Sequence, residues 1–151
     1  MKKGMLLILT FCLLGLFPGC ASGHWDASKM EKSTVEDVEN AYIDMAIKEK
    51  GIKSMTKELT LKITNLTSNQ YIYGLDQVLE VNLDNVWYIV PPAEGIMTIE
   101  IAMILEPQSS REDIFNLTTY YKDLKPGKYR AVKKFYSDNG EVKAVAPFEI
   151  K

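Results

Sequence analysis

The sequence predicts a small all-β protein, an antiparallel β-sandwich of about seven or eight short strands. Beyond residue 50, apolar and polar residues alternate with the period of two that is typical of half-buried strands. Turn-forming residues separate these runs at near-regular intervals, and no long helical pattern interrupts them. A chain of 151 residues is long enough for one domain with a hydrophobic core, together with appended segments.

The clearest strand pattern covers residues 58–64, where Leu59, Leu61 and Ile63 alternate with polar side chains. Turn-forming residues follow at positions 65–69. Further strands are predicted at residues 77–83, 86–90, 97–105, 111–117, 129–136 and 141–150.

Two short turns are expected between neighbouring strands. Asp84-Asn85 suits a tight turn, and the run Ser137-Asp138-Asn139-Gly140 is the clearest hairpin signal in the chain. Pro91-Pro92 is expected to end a strand, because proline cannot donate to a sheet.

The region before this pattern, residues 33–48, fits two structures. Ser33 and Glu36 have the spacing of a helical capping box. Ile43, Met45 and Ile47 instead alternate as in a strand. We therefore expect a short helical turn near residues 35–40, followed by a first strand.

The first residues have the order of an export signal. Lys2 and Lys3 precede an apolar run at residues 5–17, which is shorter than the roughly 20 residues of a membrane-spanning helix. Leu16-Phe17-Pro18-Gly19-Cys20 then resembles the lipobox of bacterial lipoproteins, which implies that Cys20 carries lipid. An ordinary signal-peptidase cut after Ala21 or Gly23 is the alternative.

This interpretation divides the chain into a lipoprotein signal peptide (residues 1–19), a polar tether (20–41) and a domain (42–151). It places the protein at the extracytoplasmic face of the cell membrane, held through Cys20; the alternative cut would make it secreted. No other cysteine would remain after the cut, because Cys12 lies in the signal peptide. The domain would therefore have no disulfide.

The charge of the mature chain excludes partners that need a basic surface. Removing residues 1–19 takes away Lys2 and Lys3, so 18 Lys and Arg become 16 against 20 Asp and Glu, a net charge of −4. Such a chain is not expected to bind nucleic acid, or anionic lipid by charge alone.

A family resemblance extends over about residues 42–151. Its segments, in order, are Asn65, Tyr73-Gly74, Leu79-Glu80, Trp87-Tyr88-Ile89-Val90-Pro91, Leu124-Lys125-Pro126-Gly127-Lys128-Tyr129-Arg130, and residues 133–135. This order resembles a bacterial immunoglobulin-like domain found in small exported proteins and lipoproteins. The resemblance implies an immunoglobulin-like sandwich and an extracytoplasmic location, but no particular activity.

The composition excludes several kinds of active site. The single histidine, His24, lies in the predicted tether, so a histidine base or a multi-histidine metal site is excluded. The domain has no thiol for catalysis or for binding zinc. Asp and Glu are plentiful, but no pair stands out by context. We therefore predict no catalytic residues, no metal and no cofactor.

Five residues of the domain receive specific expectations. Trp87 is predicted to fill the core, and Tyr129 to act as the corner tyrosine that bonds back to nearby backbone. Tyr120 and Tyr121, in a predicted loop, are candidates for an exposed binding surface. Lys133 is expected either to be buried against a carboxylate, with Glu80 as one candidate, or to reach water at an edge.

These observations favour a binding or structural module without catalytic activity, attached to the membrane and contacting an unidentified protein or cell-wall partner. Two alternatives stay open. One is a protein inhibitor of exported proteases, which would use residues 91–95 or 117–123 as an extended loop. The other is a carbohydrate- or cell-wall-binding module that uses Tyr120 and Tyr121. The oligomeric state is left open.

Overall fold

The computed structural model describes residues 25–35, 41–97 and 101–151. Within these ranges the chain is almost entirely β. It forms β1 (Ile43–Ile47), β2 (Glu58–Asn65), β3 (Tyr71–Gly74), β4 (Val78–Leu83), β5 (Val86–Ile89), β6 (Ala102–Leu105), β7 (Ser110–Asn116), α1 (Leu117–Tyr120), β8 (Gly127–Ser137) and β9 (Gly140–Ile150), with a 3₁₀ turn at Ala27–Lys29 before them.

The strands form two antiparallel sheets. The smaller sheet has the order β1-β2-β7, and the larger has the order β5-β4-β8-β3-β6, with β9 also paired to β8. The 11-residue strand β8 organises the larger sheet. It pairs along its whole length with β9 on one edge, while β4 and then β3 share its other edge.

The core lies between the two sheets. The smaller sheet contributes the alternating side chains of β2, Leu59, Leu61 and Ile63, all at most 1% exposed. From the larger sheet, Tyr129 and Phe135 of β8 are fully buried. One face of each sheet is therefore apolar and enclosed, which confirms the predicted all-β antiparallel sandwich.

The two predicted turns are also confirmed. Asp84 and Asn85 have φ of 51° and 65°, the left-handed values that a two-residue type I′ hairpin requires at both central positions. At the second hairpin Ser137 pairs with Gly140, so Asp138 and Asn139 form the turn.

Several boundaries differ from the sequence-based expectations. β3 was not predicted as a strand, since it has only four residues and ends at a glycine. α1 is a single helical turn within a stretch expected to be strand and loop. The strand expected at residues 97–105 is described only as β6, because residues 98–100 lie outside the described ranges. β1 confirms the strand expected near residue 43, whereas most of the helical turn expected before it falls on residues 36–40, also outside those ranges.

Residues 25–35, here called the strap, lie against the domain. The Ser33 amide donates to the Trp87 carbonyl over 2.9 Å, and the Ile89 amide donates to the Glu31 carbonyl over 2.8 Å. The Trp25 indole donates to the Tyr129 hydroxyl over 3.1 Å. The strap thus satisfies backbone groups at the edge strand β5. Residues 25–35, which belong to the predicted polar tether, are therefore docked on the domain.

The predicted signal peptide and Cys20 lie outside the described residues. Among the residues that are described, no helix combines the length and the apolar character needed to cross a bilayer.

Candidate binding surface

The candidate binding features of the domain lie on the outer face of the larger sheet, the face turned away from the core. Residues on this face alternate with the core residues, so Arg130, Val132, Lys134 and Tyr136 of β8 point outward. The strap covers the part of this face near β4 and β5. The part near β3 and β6 is uncovered by any described residue.

Three large apolar side chains lie side by side on the uncovered part. Ile104, Ile72 and Tyr136 belong to the adjacent strands β6, β3 and β8, and direct pairing joins Ile104 to Ile72 and Ile72 to Tyr136. Their exposed fractions are 52%, 47% and 48%. We call these three residues the apolar row. Single exposed apolar side chains are ordinary, but a contiguous row across three strands makes this part of the face a candidate binding surface.

The apolar row continues into a shallow groove and borders a strand edge. Leu75, Ile101 and Ala102 line the groove together with Ile72 and Tyr136. Among the described residues, β6 is the last strand of the sheet, so its outer edge presents backbone donors and acceptors. An open edge beside an apolar surface is the arrangement that extended peptide segments use when they add a strand to a sheet.

The covered part of the same face contains a buried ion pair. Arg130 Nε donates to Glu80 Oε2 over 2.6 Å, and the two side chains are 2% and 1% exposed. Ser33 Oγ of the strap donates to the other oxygen of Glu80 over 2.5 Å. Arg130 Nη2 donates to the Val35 carbonyl over 2.6 Å. Because both charges have polar partners, the pair holds the strap on the sheet.

Trp87 belongs to this covered part, so the expectation that it fills the core is wrong. Its β5 position pairs with Asn82, which puts it on the outer face, and it is only half-buried. The Arg130 guanidinium carbon lies 4.3 Å from the centre of its ring. The neighbouring Tyr88 packs against the core instead. Trp87 therefore shields the ion pair through a cation–π contact.

Lys133 is buried, but its partner is not Glu80. Its Nζ donates to the carbonyls of Gly74 and Asp76, both at 3.0 Å. Burial lowers the pKa of this amine, and the carboxylates of Asp113 and Asp76 act in the opposite direction. Lys133 thus fastens the turn between β3 and β4. Glu80 is engaged by Arg130, its direct neighbour across β4 and β8.

A second buried polar group completes this interior cluster. Asp113 of β7 accepts a hydrogen bond of 2.9 Å from the Tyr73 hydroxyl and one of 3.0 Å from Arg111 Nε. Burial is the main cause of a raised pKa at Tyr73, and the Asp113 charge adds to it. These groups connect the two sheets and satisfy one another, which is a structural role.

Tyr129 has the geometry of a corner tyrosine. Its ring is fully buried, and its hydroxyl donates to the Lys125 carbonyl over 2.7 Å. The same hydroxyl accepts from the Trp25 indole. Burial raises the pKa of Tyr129, against the lowering effect of the hydrogen bonds that its oxygen accepts from the Trp25 indole and the Lys125 amide.

Tyr120 and Tyr121 do not form the exposed pair expected from the sequence. Tyr121 is 2% exposed, and its hydroxyl donates to the Gln77 carbonyl over 3.0 Å. Tyr120 is half-buried, with its ring centre 6.3 Å from that of Tyr121. The turn α1 rotates both rings towards the domain. Residues 117–123 are consequently not an extended, freely presented loop either.

The remaining candidate loop, residues 91–95, is more exposed. Pro91, Pro92, Glu94 and Gly95 all lie at the surface. The Ala93 amide donates to the Tyr120 carbonyl over 2.7 Å, which fixes the middle of the loop to α1. Residues 91–95 are therefore the more exposed of the two predicted inhibitory loops.

The chemistry of the described residues gives no support for a metal centre. No group of three or more His, Cys, Asp or Glu side chains in this part of the chain is arranged to hold an ion.

Sequence reasoning missed Ile72 and Ile104 of the apolar row because β3 and β6 are short and apolar at consecutive positions. In Tyr71-Ile72-Tyr73 every residue suits a core, so alternation alone does not indicate which side chain faces out. The pairing of β3 between β6 and β8 decides it, since Tyr71 and Tyr73 face inward and Ile72 faces outward. The sequence signal that could have identified this strand is the run of three apolar residues directly before Gly74, the glycine that ends it.

One comparison with known proteins is informative. A family model described as Bacterial Ig-like domain matches residues 39–149. The match runs from shortly before β1 to the penultimate residue of β9, and so includes the apolar row, the ion pair and Tyr129. No curated protein matches the chain.

Proposed function

Because the chain belongs to the bacterial Ig-like domain family, we propose that it is a lipid-anchored binding module at the extracytoplasmic face of the cell membrane, without catalytic activity of its own. Membership of this family indicates a structural or binding module. The observation that carries the binding role is the apolar row, in which three half-exposed side chains adjoin across three strands.

The partner that fits this surface is a protein that contributes an extended segment. Such a segment would pair with the outer edge of β6 and lay apolar side chains across Ile104 and Ile72. Main-chain hydrogen bonds at the edge would supply affinity, and the groove beside Leu75 and Ile101 would select side chains. A purely polar glycan would leave the apolar row without matching contacts.

The anchoring part of the proposal is supported by the lipobox-like run that ends at Cys20. Metabolic labelling with a fatty-acid probe tests it directly. The wild-type protein should carry the probe, and Cys20→Ser should abolish the label, since lipid attachment requires the sulfur. An unlabelled wild-type protein free in the medium would contradict the anchoring while leaving the fold unaffected.

The binding part is tested by photocrosslinking in native membranes followed by mass spectrometry. The double variant Ile72→Thr/Ile104→Thr keeps β-branched residues in the strands but removes apolar surface. The matched control is Ile114→Thr, because Ile114 is 56% exposed on the outer face of the smaller sheet. We expect the partner to be lost with the double variant and retained with the control.

Two results would contradict the proposal. Retention of every partner by the double variant would show that the apolar row is not the binding surface. Inhibition of an exported protease that depends on residues 91–95 and not on the row would favour the inhibitor function instead.

A further inference from the structure

The docked strap sets a limit on how far the apolar row can stand from the membrane, and this limit rests on the lipid anchoring proposed above. Only five residue steps separate Cys20 from Trp25. A fully extended chain covers at most about 17 Å over five steps. At Trp25 the chain is already attached to the domain, because its indole donates to the Tyr129 hydroxyl over 3.1 Å.

The strap is attached at several further points along its length. Backbone hydrogen bonds fix Glu31 and Ser33 to β5, and the side chain of Ser33 donates to Glu80. The Val35 carbonyl accepts from Arg130, whose side chain is 2% exposed. Residues 25–35 therefore add no free length between the lipid and the domain.

The remaining distance runs along β8. Tyr129 and Tyr136 lie in the same strand, seven residues apart, which is about 23 Å at the usual rise of a β-strand. The Trp25 and Tyr129 side chains together with their hydrogen bond add roughly 15 Å between the two backbones. Tyr136, the residue of the apolar row on β8, is thus no more than roughly 55 Å from the lipid, even with every part aligned.

A tether that did not dock on the domain would allow a larger distance between the lipid and the apolar row. If residues 25–41 were undocked and extended, they would add roughly 55–60 Å to the reach. The docked strap removes this extra reach, and at the same time it leaves the apolar row uncovered at the opposite end of β8 from the attachment point.

We propose that the strap holds the apolar row close to the bilayer, so that its partner is a protein embedded in the same membrane. A partner in the outer cell wall would require the reach that docking removes. A membrane protein with an extracytoplasmic segment lies within the limit and can offer an extended strand to β6.

The distance is tested with the full lipidated protein in vesicles, by energy transfer from a donor dye to acceptor lipids with labelled headgroups. Asp138→Cys carries the donor, because Asp138 lines the same surface depression as Tyr136 and Cys20 is blocked by lipid. Twenty Gly and Ser residues inserted between Gly23 and His24 lengthen the connection by about 25 Å on average. The control places the same insertion after Lys151.

We expect efficient transfer in the parent protein and in the control, and a fall of roughly twofold or more with the insertion before the strap, which lengthens the linker. If the insertion leaves the energy transfer unchanged while the fatty-acid label shows that the anchor is present, the short distance between the apolar row and the membrane is overturned. Absence of the label would overturn the anchor, and this proposal with it.

The membrane location of the partner is tested by removing the cell wall. A photoreactive residue in place of Tyr136 should give the same crosslinked adduct in intact cells and in wall-free protoplasts. A photoreactive residue at Ile114 controls for random contacts. Loss of the Tyr136 adduct in protoplasts would overturn the proposal in favour of a cell-wall partner.

Discussion

On the outer face of the larger sheet, charged side chains are buried in one part and apolar side chains are exposed in the other, which is the reverse of the usual arrangement. Near β4 and β5 this face buries a charged pair, Arg130 and Glu80, at 2% and 1% exposure. Near β3 and β6 the same face leaves Ile72 and Ile104 about half exposed. Since β8 contributes to both parts, the difference arises from what lies on top of the sheet.

The strap explains the covered part. It brings a hydroxyl and a backbone carbonyl to charges that would otherwise be costly to enclose, so that each charge has hydrogen-bond partners in both the sheet and the strap. No described residue covers the apolar row, where burying apolar surface would be favourable. The first part is therefore complete within the chain, whereas the second is suited to a partner.

The largest expected effect comes from breaking the covered ion pair. Glu80→Ala would leave the Arg130 guanidinium enclosed without its carboxylate, which typically costs about 3–5 kcal/mol. Chemical denaturation should show this as a lower free energy of unfolding. Glu112→Ala is the control, since Glu112 pairs with Lys48 while about half exposed, and such pairs contribute about 0–1 kcal/mol. Equal losses for both variants would contradict the structural role of the covered pair.

A smaller effect is expected when the strap loses one contact. Ser33→Ala removes the hydroxyl that donates to Glu80 and accepts from the Val35 amide over 2.9 Å, so the cost should be about 2 kcal/mol. Hydrogen exchange of the Ile89 amide, which donates to Glu31, should accelerate because strap and edge separate more often. Thr34→Ala, at the exposed neighbouring position, should leave that exchange rate unchanged.

The sequence predicted the architecture better than it predicted the surfaces. Alternation at Leu59, Leu61 and Ile63 and the turns at Asp84-Asn85 and residues 137–140 identified the sandwich correctly. These signals are local, since each depends on residues within one strand or turn. Cys20 lies outside the described residues, so the prediction that it carries lipid stays a prediction.

The errors involve residues whose environment is set by distant parts of the chain. Trp87 lies in a strand that is apolar at all four positions, so only its register opposite Asn82 reveals its face. Tyr121 is buried because its hydroxyl finds the Gln77 carbonyl, 44 residues away. Glu80 has the alternation of an exposed residue but is buried in contact with Arg130 and with Ser33 of the strap.

Two variants, Val132→Thr and Ile72→Thr, introduce threonine into the covered and the uncovered part of the outer face and so compare the two parts directly. Val132 faces outward on β8 but is 3% exposed. Val132→Thr keeps the shape and buries a hydroxyl, so the free energy of unfolding should fall by about 1–2 kcal/mol. Ile72→Thr, at a 47% exposed position, should change it by no more than about 0.5 kcal/mol. A large loss for Ile72→Thr would indicate that the apolar row stabilises the domain and is not reserved for a partner.

The smallest effect appears only in alkaline solution and compares the two ends of β8. Burial raises the pKa of Tyr129 above the ordinary value of 10.0, so above pH 10 the unfolded chain loses this proton while the folded chain retains it. Folding then becomes less favourable as pH rises, by up to about 1 kcal/mol between pH 10 and 11. The lowered pKa of Lys133 has the opposite effect on the free energy of unfolding at pH values below its ordinary pKa of 10.5, but this effect is the same in all variants.

Tyr129→Phe should therefore flatten the alkaline fall in unfolding free energy relative to the parent protein. Tyr136→Phe, at a 48% exposed ring on the same strand, is the matched control for the loss of a phenol, and equal flattening by both variants would show that burial in the core is not what distinguishes Tyr129.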